Sequence, residues 1–207
     1  DGAAVNVNFG QKPFTHTPPT NYKPLCSTDQ TQQTITNGAD HVGISTWVGN
    51  GGTQTVTGYN FSPDFVWIKD ITNGATDYHV AIDVLRGGTN VLFPSEPIDS
   101  ETQSGAITQF NSNGFDLGNW QAVNKSNSDF VGWGWNADTY EANNNAGSVN
   151  SEIRKNTAAG FSIVKYSYTG TGAQTVGHGL GAVPDVVWRK PINLNESWSV
   201  YAAVLGW

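Results

Sequence analysis

Three acidic side chains between residues 96 and 101 form a closely spaced group whose types suit acid–base catalysis. Glycan hydrolysis needs two carboxylates that project into one cleft. Here the acids are spaced by three residues and then by two, so Glu96 falls on the opposite strand face from Asp99 and Glu101. Pro97 also disfavours a regular central strand. The spacing therefore predicts a solvated loop and no catalytic residue.

Histidine and cysteine are too scattered to form a recognisable site. The histidines lack a metal-ligand spacing such as His-x-x-x-His and fall at His16, His41, His79 and His178. Cys26 is most simply a small buried apolar residue. The sequence holds no Gly-x-Ser-x-Gly elbow, nucleotide-binding loop or Asp-x-Asp-x-Asp-Gly calcium loop. It predicts no specific metal site and no cofactor.

Aromatic side chains in loops are the best candidates for ligand contact. Sugars bind proteins by stacking their apolar C–H faces on flat rings, while amides and carboxylates bond the hydroxyls. Loops are also where binding residues gather. We therefore predict a ligand site that draws on Trp120, Asn119, Tyr140 and Trp198. The alternative for Trp120 is structural, with its ring covering one end of a β-sandwich.

The strand-forming segments that must position these residues occur twice in the sequence. Pro-Asp-Phe-Val-Trp-Ile-Lys at residues 63–69 returns as Pro-Asp-Val-Val-Trp-Arg-Lys at residues 184–190. The same lead, Gly-x-Gln-Thr-Val, precedes each copy, and a similar apolar strand follows it. The offset of 120 or 121 residues is too long for a solenoid repeat and matches one β-sandwich domain of about 100 residues. We predict an all-β protein of antiparallel, lectin-like or jelly-roll-like sandwiches in tandem.

The strand patterns indicate which residues build the interior. Residues 65–69 are apolar on both faces, as in a strand covered on both sides. Gly132 and Gly134 share one face of a predicted strand, which indicates a bulky neighbour or a close backbone there. Residues 151–156 fit a surface loop or a short helix equally well. Four tryptophans lie in predicted strands, and we expect them in the core: Trp67, Trp133, Trp135 and Trp188.

Composition and repeat boundaries predict the domain organisation. Residues 1–26 read as the end of one β-sandwich, and residues 27–41 as a polar linker. Residues 42–159 form a complete repeat unit, and residues 160–207 begin a second, truncated copy. A half-sandwich exposes unpaired strand edges, so we expect either a longer native polypeptide or completion by a neighbouring subunit.

Charge and cysteine content narrow the function classes. The formal net charge of -7 argues against a nucleic-acid surface, which needs clustered Lys and Arg. One cysteine excludes an intrachain disulfide scaffold. No run of about 18 apolar residues exists, so the sequence predicts no membrane-spanning helix.

Two stretches resemble families from bacteriophages. Val-Asn-Val-Asn-Phe-Gly-Gln-Lys-Pro-Phe at residues 5–14, with Leu25-Cys26 after it, resembles the C-terminal end of a SPRY-like sandwich. The repeated unit resembles an uncharacterised repeat of phage tail and fibre proteins, through residues 51–56, 62–69 and 177–181. The resemblance implies a virion surface or extracellular location, a homo-oligomer (a trimer by analogy with fibres) and contact with other virion proteins.

From these observations we expect a non-enzymatic virion protein for structural display and attachment to a host-surface glycan. One alternative is a purely structural decoration or shaft module that binds other virion proteins. A less favoured alternative is a glycan-cleaving depolymerase, which the carboxylate spacing disfavours.

Overall fold

The computed structural model describes residues 35–72, 78–168, 170 and 172–205. The chain divides into two compact units, Asp1–Thr36 and Asn37–Trp207. The described part of the second unit is nearly all β, with antiparallel sheets, so the predicted fold class is confirmed. The predicted SPRY-like segment, residues 1–26, lies outside the described residues.

Fourteen strands and two short helical turns make up the described fold. A 3₁₀ turn, Gly38–Asp40, precedes the first strand, and a four-residue helix, α1, spans Gln121–Asn124. The strands are β1 Val42–Val48, β2 Gln54–Thr57, β3 Phe65–Asp70, β4 Val80–Asp83, β5 Asn90–Val91, β6 Glu101–Thr102, β7 Ile107–Asn111, β8 Gly114–Leu117, β9 Asp129–Trp135, β10 Thr139–Asn144, β11 Ser151–Asn156, β12 Phe161–Tyr166, β13 Val186–Arg189 and β14 Ser199–Ala202.

Two sheets enclose the main core. The central sheet has the order β1-β9-β3-β4, and the second sheet has the order β2-β8-β7. Strand alternation directs one face of each sheet inward, where Trp47 stacks on Phe130 and meets Phe115 edge to face. The buried cluster contains Trp47, Val56, Tyr59, Phe61, Val66, Ile68, Val80, Ile82, Val91, Phe93, Ala106, Ile107, Phe115, Leu117, Val123 and Phe130.

The two glycines of β9 admit a tyrosine ring, as their shared face predicted. A Cβ added to Gly134 would lie 2.6 Å from the Tyr59 ring, and one added to Gly132 would lie 2.9 Å from Trp47. The Tyr59 hydroxyl donates a hydrogen bond to the Gly132 carbonyl at 2.9 Å. Burial raises the pKa of that hydroxyl. Because the two glycines have no side chains, the Tyr59 ring can pack directly against the backbone of β9.

A third sheet, β10-β11-β12, covers part of the outer face of the central sheet. Phe161 of β12 packs against Phe65 and Trp135, with ring centroids 6.3 and 6.2 Å apart. Residues 151–156 form strand β11, so the prediction of a loop or short helix there is wrong. The error has a physical cause: Ile153 is the one large apolar residue of this strand, and its other positions are polar or charged.

The second repeat copy forms the two-stranded sheet β13-β14. Like β3 and β4, these strands pair antiparallel, but the register differs by one residue from the sequence alignment of the copies. Phe65 lies opposite Asp83, whereas Val186 lies opposite Ala202 instead of the aligned Ala203. Because side chains alternate along a strand, this slip changes which residues share a face.

The predicted core positions of the four strand tryptophans are corrected by the structure. Trp188 is 50% exposed, and the other three are only partly buried on the outer face of the central sheet. Trp47 is instead the tryptophan of the main core, at 8% exposure. Sequence alternation identified the strands, but both faces of β3 and β9 are apolar, so it did not identify the face that turns inward.

The boundaries at residues 41 and 160 stay predictions. The boundary between the two compact units, at residues 36 and 37, falls within the predicted linker of residues 27–41. Strand β12, the first of the predicted second copy, pairs with β11, the last of the first copy. Among the described residues, no helix is long and apolar enough to cross a membrane.

Candidate functional site

Two of the predicted site residues meet at Phe93. Trp120 packs edge to face on the Phe93 ring with centroids 6.4 Å apart, and the Trp198 indole nitrogen donates to the Phe93 carbonyl at 3.0 Å. Tyr78 adds a third aromatic ring, 5.5 Å from Phe93. We call these four residues the Phe93 cluster. Its floor, Phe93, is buried, whereas Trp120 and Trp198 are partly buried and Tyr78 is 48% exposed.

Trp120 is held at the start of helix α1. Its backbone nitrogen donates to the Gly105 carbonyl at 3.1 Å, and its carbonyl accepts from Asn124 at 3.0 Å. Asn119 precedes it on the surface. A Cβ on Gly105 would lie 2.5 Å from the Asn119 amide oxygen, so a glycine is needed for this close approach. The ring also packs against the main core.

Trp198 reaches Phe93 because its loop is tied to the segment that follows β5. The Asn195 side-chain oxygen accepts from the Asp99 backbone nitrogen at 2.9 Å. The Ile192 carbonyl accepts from the Ser100 backbone nitrogen at 3.0 Å. These bonds join residues almost a hundred positions apart in the chain, so sequence spacing gave no indication that Trp198 and Trp120 converge.

Lys190 fastens the same two loops. Its ammonium group donates to the carbonyls of Pro97 and Leu194 at 3.3 and 3.2 Å, and to the Glu196 carbonyl. Burial lowers the pKa of Lys190, and the charges of Asp99 and Glu196 oppose that shift. Lys190, the lysine of the second heptapeptide copy, therefore joins the loop that carries Trp198 to the loop that carries Pro97, a link we call the Lys190 clamp.

Tyr140 lies on a different sheet, away from the other predicted site residues. Its hydroxyl donates to Glu152 at 2.8 Å, and the Arg154 guanidinium lies 5.9 Å from its ring centroid. The hydrogen bond to Glu152 raises the pKa of the Tyr140 hydroxyl, and bonds from Lys165 and Tyr140 lower the pKa of Glu152. These contacts engage both the ring and the hydroxyl of Tyr140 with protein groups.

Arg154 links this network to a buried carboxylate. It forms an ion pair with Asp64 at 2.8 Å, and Asp64 also accepts from the Ala137 backbone nitrogen at 2.7 Å. Burial raises the pKa of Asp64, whereas Arg154 and the backbone donors act against the rise. This arrangement stabilises the contact between the central and third sheets. A shallow cavity of about 200 Å³ lies on the third sheet, lined by residues that include Asn150, Glu152, Lys165 and Tyr166.

Two of the three acids considered for catalysis lie in a loop, as predicted, and the third lies in a strand. Glu96 and Asp99 fall in the loop between β5 and β6, and Glu101 is in the short strand β6. The described histidines have structural partners: His79 accepts from the Trp67 indole at 2.9 Å, and His178 accepts from the Leu180 backbone nitrogen at 3.2 Å. In the described ranges, no three His, Cys, Asp or Glu side chains are grouped as metal ligands.

Comparison with known families adds one finding. A family model described as a domain of unknown function, DUF7483, matches residues 37–207. The chain belongs to the DUF7483 family. The matched DUF7483 region starts where the second compact unit starts and includes both copies of the repeated segment. No curated protein and no solved structure matches the chain.

Tyr78 and Phe93 of the DUF7483 domain were missed from the sequence. Phe93 stands in a short apolar run, Val-Leu-Phe, that indicates only a core strand. Tyr78 lies two residues before strand β4, and its sequence neighbours do not include the cluster of amides that would indicate a sugar-binding residue. Its exposure, together with the proximity to Phe93, became visible only with the fold.

Proposed function

We propose that the DUF7483 domain is a non-enzymatic attachment module that binds a surface glycan at the Phe93 cluster. The observation that carries this proposal is convergence: two tryptophans from separate loops and one exposed tyrosine meet at a single buried phenylalanine. The apolar C–H faces of sugars stack on aromatic rings that are partly exposed and held in place by the protein.

Polar groups beside the rings would bond the sugar hydroxyls. The exposed amides of Asn119 and Asn195 flank Trp120 and Trp198 in sequence. The Lys190 clamp fixes the loop that carries Asn195 and Trp198, so little conformational entropy would be lost on binding. A site of this size is weak alone, and many copies on one particle would act together through effective concentration. The virion location is part of this proposal and rests on the sequence resemblance.

The test is a glycan array with the full chain and two matched tyrosine variants. Tyr78→Ala removes an exposed ring of the Phe93 cluster, and Tyr140→Ala removes a ring of equal exposure, 49%, on the third sheet. We expect Tyr78→Ala to lose about two- to tenfold in affinity, as one lost aromatic contact of about 0.5–1.5 kcal/mol implies, and Tyr140→Ala to bind as the wild type does. A loss of affinity in Tyr140→Ala alone would indicate that the glycan site lies on the third sheet.

Trp120→Ala is a poorer variant for this purpose. The Trp120 side chain packs against the main core, so its removal alters stability as well as the surface. Tyr78→Phe is the better companion, because it keeps the ring and removes only the hydroxyl. Release of reducing sugar from a bound polysaccharide would instead favour the depolymerase alternative.

A purely structural module is the second candidate, and one observation favours it. The second repeat copy presents many exposed apolar side chains, among them Val183, Val186, Trp188, Val200 and Leu194. Contiguous exposed apolar surface commonly marks protein–protein contact. No binding to any glycan on the array, together with stable assembly through this surface, would favour the structural role.

A further inference from the structure

Strand β13 has one free edge. Antiparallel pairing alternates, so that successive residues direct their backbone groups to opposite neighbours. The Asp185 carbonyl accepts from the Ala203 backbone nitrogen at 2.7 Å, which sets the alternation. Val187 therefore faces β14, and the backbone groups of Val186 and Trp188 face the other edge. Within the described residues, no strand pairs with that edge.

The first repeat copy shows what such an edge accepts. Strand β3, the counterpart of β13, uses this same edge to pair with β9, where Phe65 lies opposite Trp135 and Trp67 lies opposite Trp133. The edge residues of β13 are a valine and a tryptophan, which are 55% and 50% exposed. Pro184 and Lys190 flank β13 at this edge and confine pairing to the residues between them, where no proline, lysine or bulge interrupts the strand.

The sequence of β13 is complementary to itself in antiparallel orientation. Asp185 and Arg189 lie four residues apart, so both project from the same face with Val187 between them. Both are exposed, and in the described part of the chain neither belongs to an ion pair. A two-fold axis at Val187 would set each Asp185 opposite the partner's Arg189.

We propose that β13 pairs antiparallel with β13 of a second copy of this chain about a two-fold axis at Val187. The pairing joins two hairpins into one four-stranded sheet with the order β14-β13-β13-β14. Val186 lies opposite the partner's Trp188, and both residues direct their backbone groups to the shared edge. The two charge pairs, Asp185 with the partner's Arg189, flank the axis symmetrically.

This register is selected by backbone and charge together. A shift of one residue would bring backbone groups that already bond β14 to the shared edge. A shift of two residues sets Trp188 opposite the partner's Trp188. Asp185 then lies opposite a residue beyond the end of the partner's β13. Among these registers, only the axis at Val187 satisfies the alternation and also sets each Asp185 opposite the partner's Arg189.

The test is the mass of the full chain in solution, measured by sedimentation velocity over a range of concentrations. The wild type is expected to be a dimer. Asp185→Arg and Arg189→Asp each place like charges opposite each other and are expected to be monomers with unchanged thermal unfolding, since both side chains are exposed. The double variant with both reversals restores the opposite charges and is expected to be a dimer again.

Mixing the two single variants supplies a control for folding. The Asp185→Arg variant carries arginine at positions 185 and 189, and the Arg189→Asp variant carries aspartate at both. The mixture is therefore expected to form a heterodimer although neither variant dimerises alone. Native mass spectrometry distinguishes the heterodimer by mass. A wild type that stays monomeric up to about 100 μM overturns the proposal. So does a trimer, a dimer unaffected by the reversals, or a mixture that stays monomeric.

Discussion

Trp67 and Trp188, which hold the same position in the two copies of the repeated heptapeptide, pack edge to face against each other with ring centroids 5.3 Å apart. The repeat therefore does more than encode one strand twice. Its second copy lies on the outer face of the first, so that a residue and its own counterpart form a contact between layers. In the same second copy, Trp198 bonds the Phe93 carbonyl and Lys190 bonds the Pro97 carbonyl of the first copy.

Trp188→Ala should weaken this contact. An aromatic pair contributes about 0.5–1.5 kcal/mol beyond its buried area, so we expect the free energy of unfolding to fall by about 1 kcal/mol or somewhat more. The Trp67 indole signal in a nitrogen–proton correlation spectrum should shift, because its ring loses a neighbour. Trp188→Phe keeps an aromatic ring and serves as the control. An unchanged Trp67 signal in Trp188→Ala would count against the packing.

Acid should destabilise the fold through His79. Burial, and then the charge of Lys69, lower the pKa of this imidazole, whose Nδ1 accepts the Trp67 indole hydrogen bond. The unfolded chain binds a proton near pH 6.5, while folded His79 binds it only at lower pH. Stability is therefore full above pH 6.5 and falls as the pH drops toward the folded pKa. Chemical denaturation at several pH values measures this slope.

His79→Asn provides the matched variant for that pH series. The asparagine oxygen can accept the Trp67 hydrogen bond but does not titrate in this range. The variant should show a shallower loss of stability between about pH 6.5 and 5. Equal slopes in the two proteins would assign the acid sensitivity to other groups.

Gly134→Ala should destabilise the main core by about 1–3 kcal/mol, since the new Cβ would lie 2.6 Å from Tyr59. The loop variant Gly52→Ala is the control, because the nearest atom there lies 3.7 Å away. Thermal and chemical unfolding compare the two. Replacing Tyr59 by leucine in the Gly134→Ala background should recover part of the loss, and no recovery would mean that another contact is responsible.

Asn124→Ala should be strongly destabilising. This fully buried amide accepts from the Asn50 backbone nitrogen at 2.9 Å and donates to the Gly52 and Gly118 carbonyls, both at 2.9 Å. Each buried polar group left without a partner costs about 1–3 kcal/mol. The exposed Asn193→Ala is the comparison, measured by the same denaturant titration. Similar stabilities for the two variants would contradict a structural role for the Asn124 network.

The sequence predicted the sheet-forming segments well where one physical rule dominated. The apolar run at residues 65–69 located β3, and the paired glycines located β9, where the Tyr59 ring fills the glycine face. Strand β11 was missed because its charges are paired across layers, for example Arg154 with Asp64, a compensation that no local pattern reveals.

The candidate site was predicted only in part for the same reason. Loop composition singled out Trp120 and Trp198 individually, but their convergence depends on long-range bonds such as that of Asn195 with Asp99. Tyr140 was selected by composition and lies instead in an ion network on another sheet. Propensity describes a residue's neighbourhood in sequence, whereas a binding surface is assembled by tertiary contacts.

The most direct measurement is a titration of the nitrogen-15-labelled chain with a glycan that binds on the array, followed through the tryptophan indole signals. The account predicts that the Trp120 and Trp198 signals shift on binding, while the signal of Trp47, buried in the main core, stays in place. A titration in which Trp120 and Trp198 do not move, while signals of the third sheet around Tyr140 do, would contradict it.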